Sequence, residues 1–485
     1  VMVFIVRQLQ EKCIEQQVGL FQVFVDLEKA FDSINRVMLW EILRKLGCPS
    51  RFVNMLRSFH SDMRAWVSVG GEVSAPFFVN NGVKQGDVPA PTLFAVYFAV
   101  VLNVAFKSCN HGVYVRYRTS GSVFNIRRFA ARTKIFTVLV RDLLYADDCA
   151  LVAHTEEDMQ QIMNSFSAAC TAFGLTINLK KTVVMFQPPP TQHYLEPNIF
   201  VYGKRLNVVD EFVYLGSAVN RHGNINSDIP LRIQKASAAF GKLENRLWKR
   251  REVNVKTKLD VYNACVLTTL LYGCETWVTY RHNFKQLERF HQTCLRRILG
   301  IRWSAKVSDA ETLRRSSSMS IEAIVHRSRL RWSGHLVRMP EQRLPKQVFH
   351  GELASGHRPR YKPRQRYKDC LKKSLQNASI CIHSWQAQAL DRSVWRKAVQ
   401  DGVAKFELSR MDQLALKQSL RKGFSNISGG IQNVLACHVC GRLCLSQAGL
   451  VSHVKSHDRR PPANFGVVLN RELIHVCLMC GKRCR

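Results

Sequence analysis

The sequence predicts an α+β chain, and three patterns in it predict that class. Short apolar runs that end on an acid, or enclose one, lie at residues 20–26 and around Asp147-Asp148, the spacing of buried strands and a tight hairpin. Longer stretches with apolar residues three and four apart, at 92–106, 226–247, 255–280 and 281–299, carry helical periodicity. A tail after Cys437 spaces Cys and His as a small ββα metal fold does.

Of the 485 residues 46% are hydrophobic, enough for several domains and a large core. Lys and Arg number 71 against 36 Asp and Glu, a formal charge of +35. Residues 241–380 alone hold 30 basic and 11 acidic residues, or +19. So basic a balance points to a polyanionic partner, nucleic acid before a membrane surface. The longest clean apolar run, 93–106, is interrupted at Asn103 and is too short to span a bilayer. No signal peptide opens the chain, so an intracellular protein without a membrane partner is expected. Single cysteines from Cys13 to Cys381 suit reduced thiols, and the cluster after Cys437 suits a metal. The start at Val1 and the end at Arg485 read as those of a fragment.

In chain order, residues 4–13 read as the end of a basic amphipathic helix. Residues 20–26 form a buried strand ending on Asp26, which is either a metal ligand at the lip of a sheet or a helix N-cap. A helix is expected to follow directly, with Asp32 exposed on it and Val37, Leu39, Ile42, Leu43 and Leu46 on its apolar face, stopping at Gly47 and Pro49. Residues 64–81 alternate as a strand pair turning at Gly70-Gly71. A Gly-bracketed loop, 81–91, then enters the apolar helix and allows close backbone approach by a phosphate or base. Residues 138–153 form one hairpin, with Asp147 and Asp148 at a tip where Asn-Gly or Asp-Gly is usual. Adjacent acids repel, so the pair reads either as a solvated turn or as part of a divalent-metal site.

Beyond residue 226, Leu259, Val261, Tyr262, Val266, Leu267, Leu270 and Leu271 form the core face of a helical section. Residues 329–335 and 358–368 are the densest basic stretches, with Trp332, Tyr361 and Tyr367 interleaved. These are either aromatics that stack on unpaired bases or core aromatics beneath solvated basic faces. The Gly/Ser-rich segment 423–430 is expected to be a linker. Cys437-x2-Cys440-x12-His453-x3-His457 has the spacing of a C2H2 zinc finger, with one structural Zn²⁺ held by two thiolates from a turn and two imidazoles a helical turn apart. Leu443 and Leu450 would form its core, and His438 and Cys444 are not needed as ligands. Cys477 and Cys480 repeat the Cys half, as in a truncated second finger.

The order of parts is specific. A strand ends on Asp26 with Phe31 five residues on, Gly82-Val83-Lys84-Gln85-Gly86 precedes a helix, and Tyr145-Ala146-Asp147-Asp148 sits in a hairpin. Residues 173–178 with Lys180-Lys181-Thr182 follow, and then Phe212-Val213-Tyr214-Leu215-Gly216. This order resembles the reverse transcriptase of non-LTR (LINE-type) retrotransposons, over most of residues 1–300 and less sharply to about 400. The resemblance implies a right-hand polymerase. Its parts would be a fingers remnant and palm at 1–218, a helical thumb at 219–300 and a basic, mostly helical nucleic-acid-binding region at 301–422. A linker at 423–436, the finger at 437–457 and a second linker with the truncated finger at 458–485 would follow.

The implied activity is RNA-directed DNA polymerisation, extending a DNA 3′ end on an RNA template with deoxynucleoside triphosphates. Such a transfer uses two metals about 3.5–4 Å apart, here two Mg²⁺ with Mn²⁺ as a substitute. By resemblance Asp26 and Asp147 bridge both, Asp148 is more peripheral, and Leu27 offers its carbonyl. Phe31 matches the steric gate against a 2′-hydroxyl. Gln85, Gly86 and Tyr145 match nucleotide- and template-binding positions. Lys181, beside Lys180, matches a proton donor or charge partner for pyrophosphate. Phe212, Tyr214, Leu215 and Gly216 match the primer grip. DNA target binding and a nuclear location during integration are implied too. Template-gripping fingers would lie before Val1. Where the family reads Gln-Gly-Cys-(hydrophobic)-Leu-(Ala/Ser)-Pro, this chain has Gln85-Gly86-Asp87-Val88-Pro89-Ala90-Pro91. Asp87 puts a negative charge near a triphosphate, and Pro89 removes a backbone donor. The alternative is therefore a decayed, inactive nucleic-acid binder that keeps the basic region and the finger.

Overall fold

In a computed structural model, residues 1–131, 133–359, 364–427, 435–444 and 447–457 are described, with two-residue strands at 475–476 and 483–484. The chain gathers into two compact units, Val1–Arg410 and Met411–Arg485.

The first unit is built on a five-stranded sheet. Its strands are β1 (Leu20–Val25), β4 (Asp142–Tyr145), β5 (Asp148–Ala153), β6 (Val183–Gln187) and β7 (Asn207–Val208), in the order β7-β6-β1-β5-β4. All pairs are antiparallel except β6–β7. β1 is buried along its whole length because both faces are covered. Val23, Val25, Cys149 and Leu151 face α4 (Ala90–Phe106) and α5 (Glu156–Ala172) through Phe94, Phe98, Ile162 and Phe166. Leu20, Phe24, Ala150 and Val152 face α1 (Met2–Gln16) through Ile5, Val6 and Leu9.

Several expectations are corrected by this packing. α1 is not an amphipathic surface helix: Gln8, Gln10 and Lys12 are buried as well. Lys12 donates to the Gly351 carbonyl at 2.7 Å, so later chain covers what would have been the polar face. The helix after Asp26 does not start there. α2 spans Arg36–Lys45, is capped by Asn35 Oδ1, which accepts from Met38 N–H at 3.1 Å, and is followed by α3 (Ser50–His60). Residues 27–35, Asp32 among them, form turns pinned across the chain by Glu28 N–H to the Thr176 carbonyl (2.8 Å) and Asn178 N–H to the Asp26 carbonyl (2.9 Å). Val37 and Leu46 are therefore exposed rather than core.

The hairpin before Asp147 is also not one strand. β3 (Phe136–Val140) pairs with β2 (Val113–Tyr117) in a second sheet, and the chain changes sheets at Arg141. The Arg141 guanidinium lies 4.0 Å from the Phe106 ring centroid and bonds the Cys109 carbonyl at 2.5 Å.

The 64–81 ribbon turns at Gly70-Gly71 as expected. Its base is clamped by the buried Arg36, which donates to the carbonyls of Gly82 (2.7 Å), Val79 (2.7 Å), His60 (2.9 Å) and Asn81 (3.0 Å). Gly82 has φ +82°, and a Cβ there would lie 2.6 Å from the Asp32 backbone, so only glycine closes this corner.

β8 (Glu211–Tyr214) and β9 (Ser217–Asn220) form a separate hairpin. The helical section after it includes α6 (Asp228–Lys242), α7 (Val255–Val261) and α8 (Arg281–Ile298). Tyr262, Val266, Leu270 and Leu271 are buried there, whereas Leu259, Val261 and Leu267 are half-buried. α9 (Ile321–Arg338) and α10 (Tyr367–Asn377) pack around Phe4 of α1. Trp332 and Tyr367 meet that ring edge-on at 5.5 and 5.2 Å. Arg329 is buried and donates to Ser374 Oγ, the Trp277 carbonyl and Thr279 Oγ1 at 3.0–3.1 Å. The core reading thus holds for these two aromatics, and Arg329 is an internal clamp and not a solvated charge. Tyr361 lies outside the described residues.

α11 (Arg392–Ile427) carries the helix past residue 423, so the first part of the expected linker is helical; 428–434 lie outside the described residues. In the second unit β10 (Leu435–Ala436) and β11 (Leu443–Cys444) pair ahead of α12 (Gln447–His457). Cys477 and Cys480 lie outside the described residues. Among the described residues, no helix is long and apolar enough to cross a membrane.

Candidate active site and metal centre

β1 and β5 run antiparallel with Val25 opposite Cys149, so the next step sets Asp26 beside Asp148 at the ends of these two inner strands. The loop between β4 and β5 has two residues, Ala146 and Asp147, with Tyr145 paired to Asp148. Asp147 is thus the tip and Asp148 the first residue of the returning strand. Ala146 has φ +54°, a conformation that disfavours a side chain. Tyr145 is exposed.

One cavity of about 340 Å³ is lined by Asp26 and Asp148 together with Lys181, Phe24, Phe212 and Tyr214. Burial, and then the charges of Asp147 and Asp26, push the Asp148 carboxyl above the usual carboxylate range. Three neighbouring carboxylates are a donor set suited to a hard cation. Among the described residues, their oxygens are not drawn together as closely as the Cys and His ligand atoms of the second unit.

Asp26 is held through its own backbone. Its N–H donates to the buried Thr182 Oγ1 at 3.2 Å, and Leu27 bridges Ile177. Lys181 Nζ lies 3.4 Å from Asp26 Oδ2. Asn178 Oδ1 accepts from the N–H groups of both Lys180 and Lys181, setting the turn from which Lys181 reaches the acid. Neither Thr182 nor Asn178 carries a role that the sequence pattern reveals. The only signal was turn-forming residues beside a lysine pair.

Phe31 is half-buried and stacks on Phe94 with centroids 4.6 Å apart. Gln85 and Gly86 are exposed, and Gly86 has φ +100° with open space at its Cα. Pro89 does not disturb the following helix: it is the N-cap of α4, where a missing N–H costs nothing. Val88 is 95% exposed.

Phe212 stacks on Phe24, and Tyr214, at 5.3 Å from the same ring, donates from its hydroxyl to the Leu143 carbonyl at 3.2 Å. Burial pushes the Tyr214 phenol up. Leu215 and Gly216 both have positive φ, +47° and +78°, as the tight turn of a two-residue hairpin requires.

In the second unit the nearest contacts among Cys437, Cys440, His453 and His457 are 3.1, 3.2 and 3.6 Å, and all four ligand atoms lie within 4.8 Å of one another. Tetrahedral zinc with two sulfur and two nitrogen ligands implies roughly 3.3–3.8 Å between them, so this set fits. Cys437 N–H donates to the Arg442 carbonyl and Gly441 N–H to the Cys437 carbonyl, both at 2.8 Å, which folds the turn between the thiols. Burial, then the His457 charge, holds His453 below the usual imidazole range, favouring the neutral ligating form. Leu450 is half-buried.

Residues 6–219 match the family described as reverse transcriptase (RNA-dependent DNA polymerase). An uncharacterised transposon-derived protein of Caenorhabditis elegans is 26% identical over 273 residues, 53% of this chain and 95% of the relative. An RNA-directed DNA polymerase from transposon BS of Drosophila melanogaster is 23% identical over 323 residues, 65% of this chain and 33% of the relative. The Pol polyprotein of a type-2 retrotransposable element of the same fly is 26% identical over 260 residues, 51% and 22% respectively. The chain spans a third or less of these two longer relatives. Asp26, Asp147, Asp148, the residues lining the adjoining cavity and the 212–216 turn all lie within the 6–219 stretch that matches the reverse transcriptase family.

Proposed function

We propose that this chain is the RNA-directed DNA polymerase of a LINE-type retrotransposon, extending a DNA 3′ end along an RNA template. The observation that carries the reading is the shared cavity, which joins Asp26, Asp148 and Lys181 to Phe212 and Tyr214 of the β8–β9 hairpin. Asp26, Asp147 and Asp148 would hold two Mg²⁺ ions. Bound there, the ions supply the charge that activates the primer hydroxyl and stabilises the leaving pyrophosphate. Lys181 stands beside Asp26 to give a proton or charge to the pyrophosphate. Phe31 would sit under the sugar, with Gln85, Gly86, Tyr145 and the Leu27 carbonyl around nucleotide and template. The 212–216 turn would hold the primer end.

The helical thumb and the basic region would follow the duplex backbone through non-specific phosphate contacts. Cys437, Cys440, His453 and His457 would bind one Zn²⁺ as a finger on DNA target or RNA. These partners imply work in the nucleus during integration.

The test is extension of a DNA primer annealed to RNA by the purified chain with Mg²⁺ and deoxynucleotides. Asp147→Ala with Asp148→Ala should abolish extension while salt-sensitive RNA binding persists. A parent chain that binds but never extends would favour the second reading, a decayed nucleic-acid binder. Asp87 beside the exposed Val88 in the nucleotide loop is the feature that speaks for it.

A further inference from the structure

Asp228, the first residue of α6, is fully buried. Donors from separate parts of the fold close on its carboxylate. Arg7 Nη2 of α1 lies at 2.7 Å, Trp277 Nε1 at 3.0 Å and the Ala218 N–H of β9 at 3.0 Å. Arg232 Nε, one turn along α6, lies at 3.5 Å.

Both arginines reach past the acid to the same hairpin. Arg7 also donates to the Ala218 carbonyl at 3.3 Å and to Thr276 Oγ1 at 3.0 Å. Arg232 donates to the Gly216 carbonyl and, at 3.3 Å, to Ser217 Oγ. Its guanidinium lies 4.5 Å from the centroid of the Tyr272 ring, whose hydroxyl donates to the Leu215 carbonyl at 3.2 Å. The carbonyls of Gly216 and Ala218 are thereby held by the two arginines of this ionic cluster, and that of Leu215 by the exposed Tyr272 against which Arg232 lies. The opposite strand of that hairpin sets Phe212 and Tyr214 against Phe24, two residues from Asp26.

A buried ion cluster stabilises a fold little more than apolar packing of the same volume would, but it admits few geometries. Among the described residues, β8 and β9 pair only with each other and form no ladder to the main sheet. The backbone ties the chain to β6 up to Val209, whose N–H donates to the Val184 carbonyl at 2.9 Å, and past that point side chains set the hairpin's angle. We propose that Asp228 is a positioning residue for nucleotide addition. With Arg7 and Arg232 it sets the β8–β9 hairpin against the acid-bearing strand, and so sets where the primer 3′ end lies. This rests on the polymerase reading above and adds to it a residue far from the motifs that carry that reading.

The test uses the full chain with Asp228→Asn, which keeps the shape and removes the charge. Trp277→Phe serves as a milder variant, removing one donor and keeping a ring. Three signals are read: hydrogen exchange across residues 211–220, a 2-aminopurine at the primer terminus, and the extension rate. Asp228→Asn should raise exchange in 211–220 about tenfold and change the 2-aminopurine signal. It should slow extension about tenfold while the KM for deoxynucleotide stays within about twofold. Trp277→Phe should do the same to a smaller extent. In a Phe212→Ala background, Asp228→Asn should cost little more, because the hairpin is already disengaged.

Unchanged exchange and 2-aminopurine signals in a folded variant would overturn the inference, as would additive effects with Phe212→Ala. If Asp228→Asn does not fold, Trp277→Phe decides by the same signals. A parent chain that binds primer–template without extending it sinks the polymerase reading alone. The positioning claim then rests on exchange and 2-aminopurine.

Discussion

Phe24 and Phe212 stack with ring centroids 4.5 Å apart and planes 21° from parallel, across 188 residues of chain. One ring sits two residues before Asp26, and the other opens the hairpin proposed to grip the primer. Phe212→Ala should cost about 1–3 kcal/mol, less than a fully buried Phe because the site is half-exposed. Phe212→Leu should cost less. Urea midpoints give the stability, and extension by Phe212→Ala should fall more than that by Phe212→Leu.

Lys181, not Lys180, approaches Asp26. Lys181→Ala is expected to slow extension by about 10²-fold or somewhat less, in the range of a lost general acid. The basic limb of its pH–rate profile should disappear. Lys180→Ala should change the rate by less than about threefold. Equal effects of the two would remove the role assigned to Lys181.

Ala146 holds φ +54° at the acidic tip. Ala146→Gly removes the Cβ penalty but adds chain entropy, so stability should rise by no more than about 1 kcal/mol. Ala146→Val should lower it by about 1 kcal/mol or more, because a branched side chain tolerates positive φ poorly. Denaturant midpoints of the two variants should move in opposite directions.

Zinc bound at Cys437, Cys440, His453 and His457 must compete with protons for thiolate and neutral imidazole. One zinc per chain is expected at pH 7.5, with occupancy falling as pH drops towards 5. Cys440→Ser should lose the metal and the exchange protection of residues 435–457, leaving protection in residues 1–410 unchanged. Metal analysis and hydrogen exchange check both.

Burial pushes the Glu11 carboxyl up to about 7, and Lys12, Arg366 and the Tyr367 N–H only partly offset it. The folded chain therefore holds this proton where the unfolded chain has released it, between about pH 4.5 and 7. Stability from this group falls as pH rises through that window. Glu11→Gln should be more stable than the parent by about 1–2 kcal/mol above pH 7, with the gain vanishing below pH 4.5. Glu11 keeps some exposure, which limits the size of the effect. Chemical denaturation across this range measures it.

The sequence alone determined whatever depends on neighbours along the chain. The 20–26 strand, the α4 helix, the turn at Gly70-Gly71 and the 437–457 spacing follow from periodicity and turn chemistry over short windows. Tertiary structure alone decided what depends on residues far apart. Apolar spacing could not reveal that the turns after Asp26 would be pinned by Thr176 and Asn178, so α2 starts at Arg36. Nor could it show that Arg141 would carry its strand from one sheet into another. Composition leaves Trp332 and Tyr367 open between base-stacking aromatics and core, and long-range packing around Phe4 makes Tyr367 and Arg329 interior and half-buries Trp332. Asp228 carries no motif at all. An acid's role inside a fold is set by which donors reach it, and here those donors are Arg7, Ala218 and Trp277, at sequence distances from 10 to 221 residues.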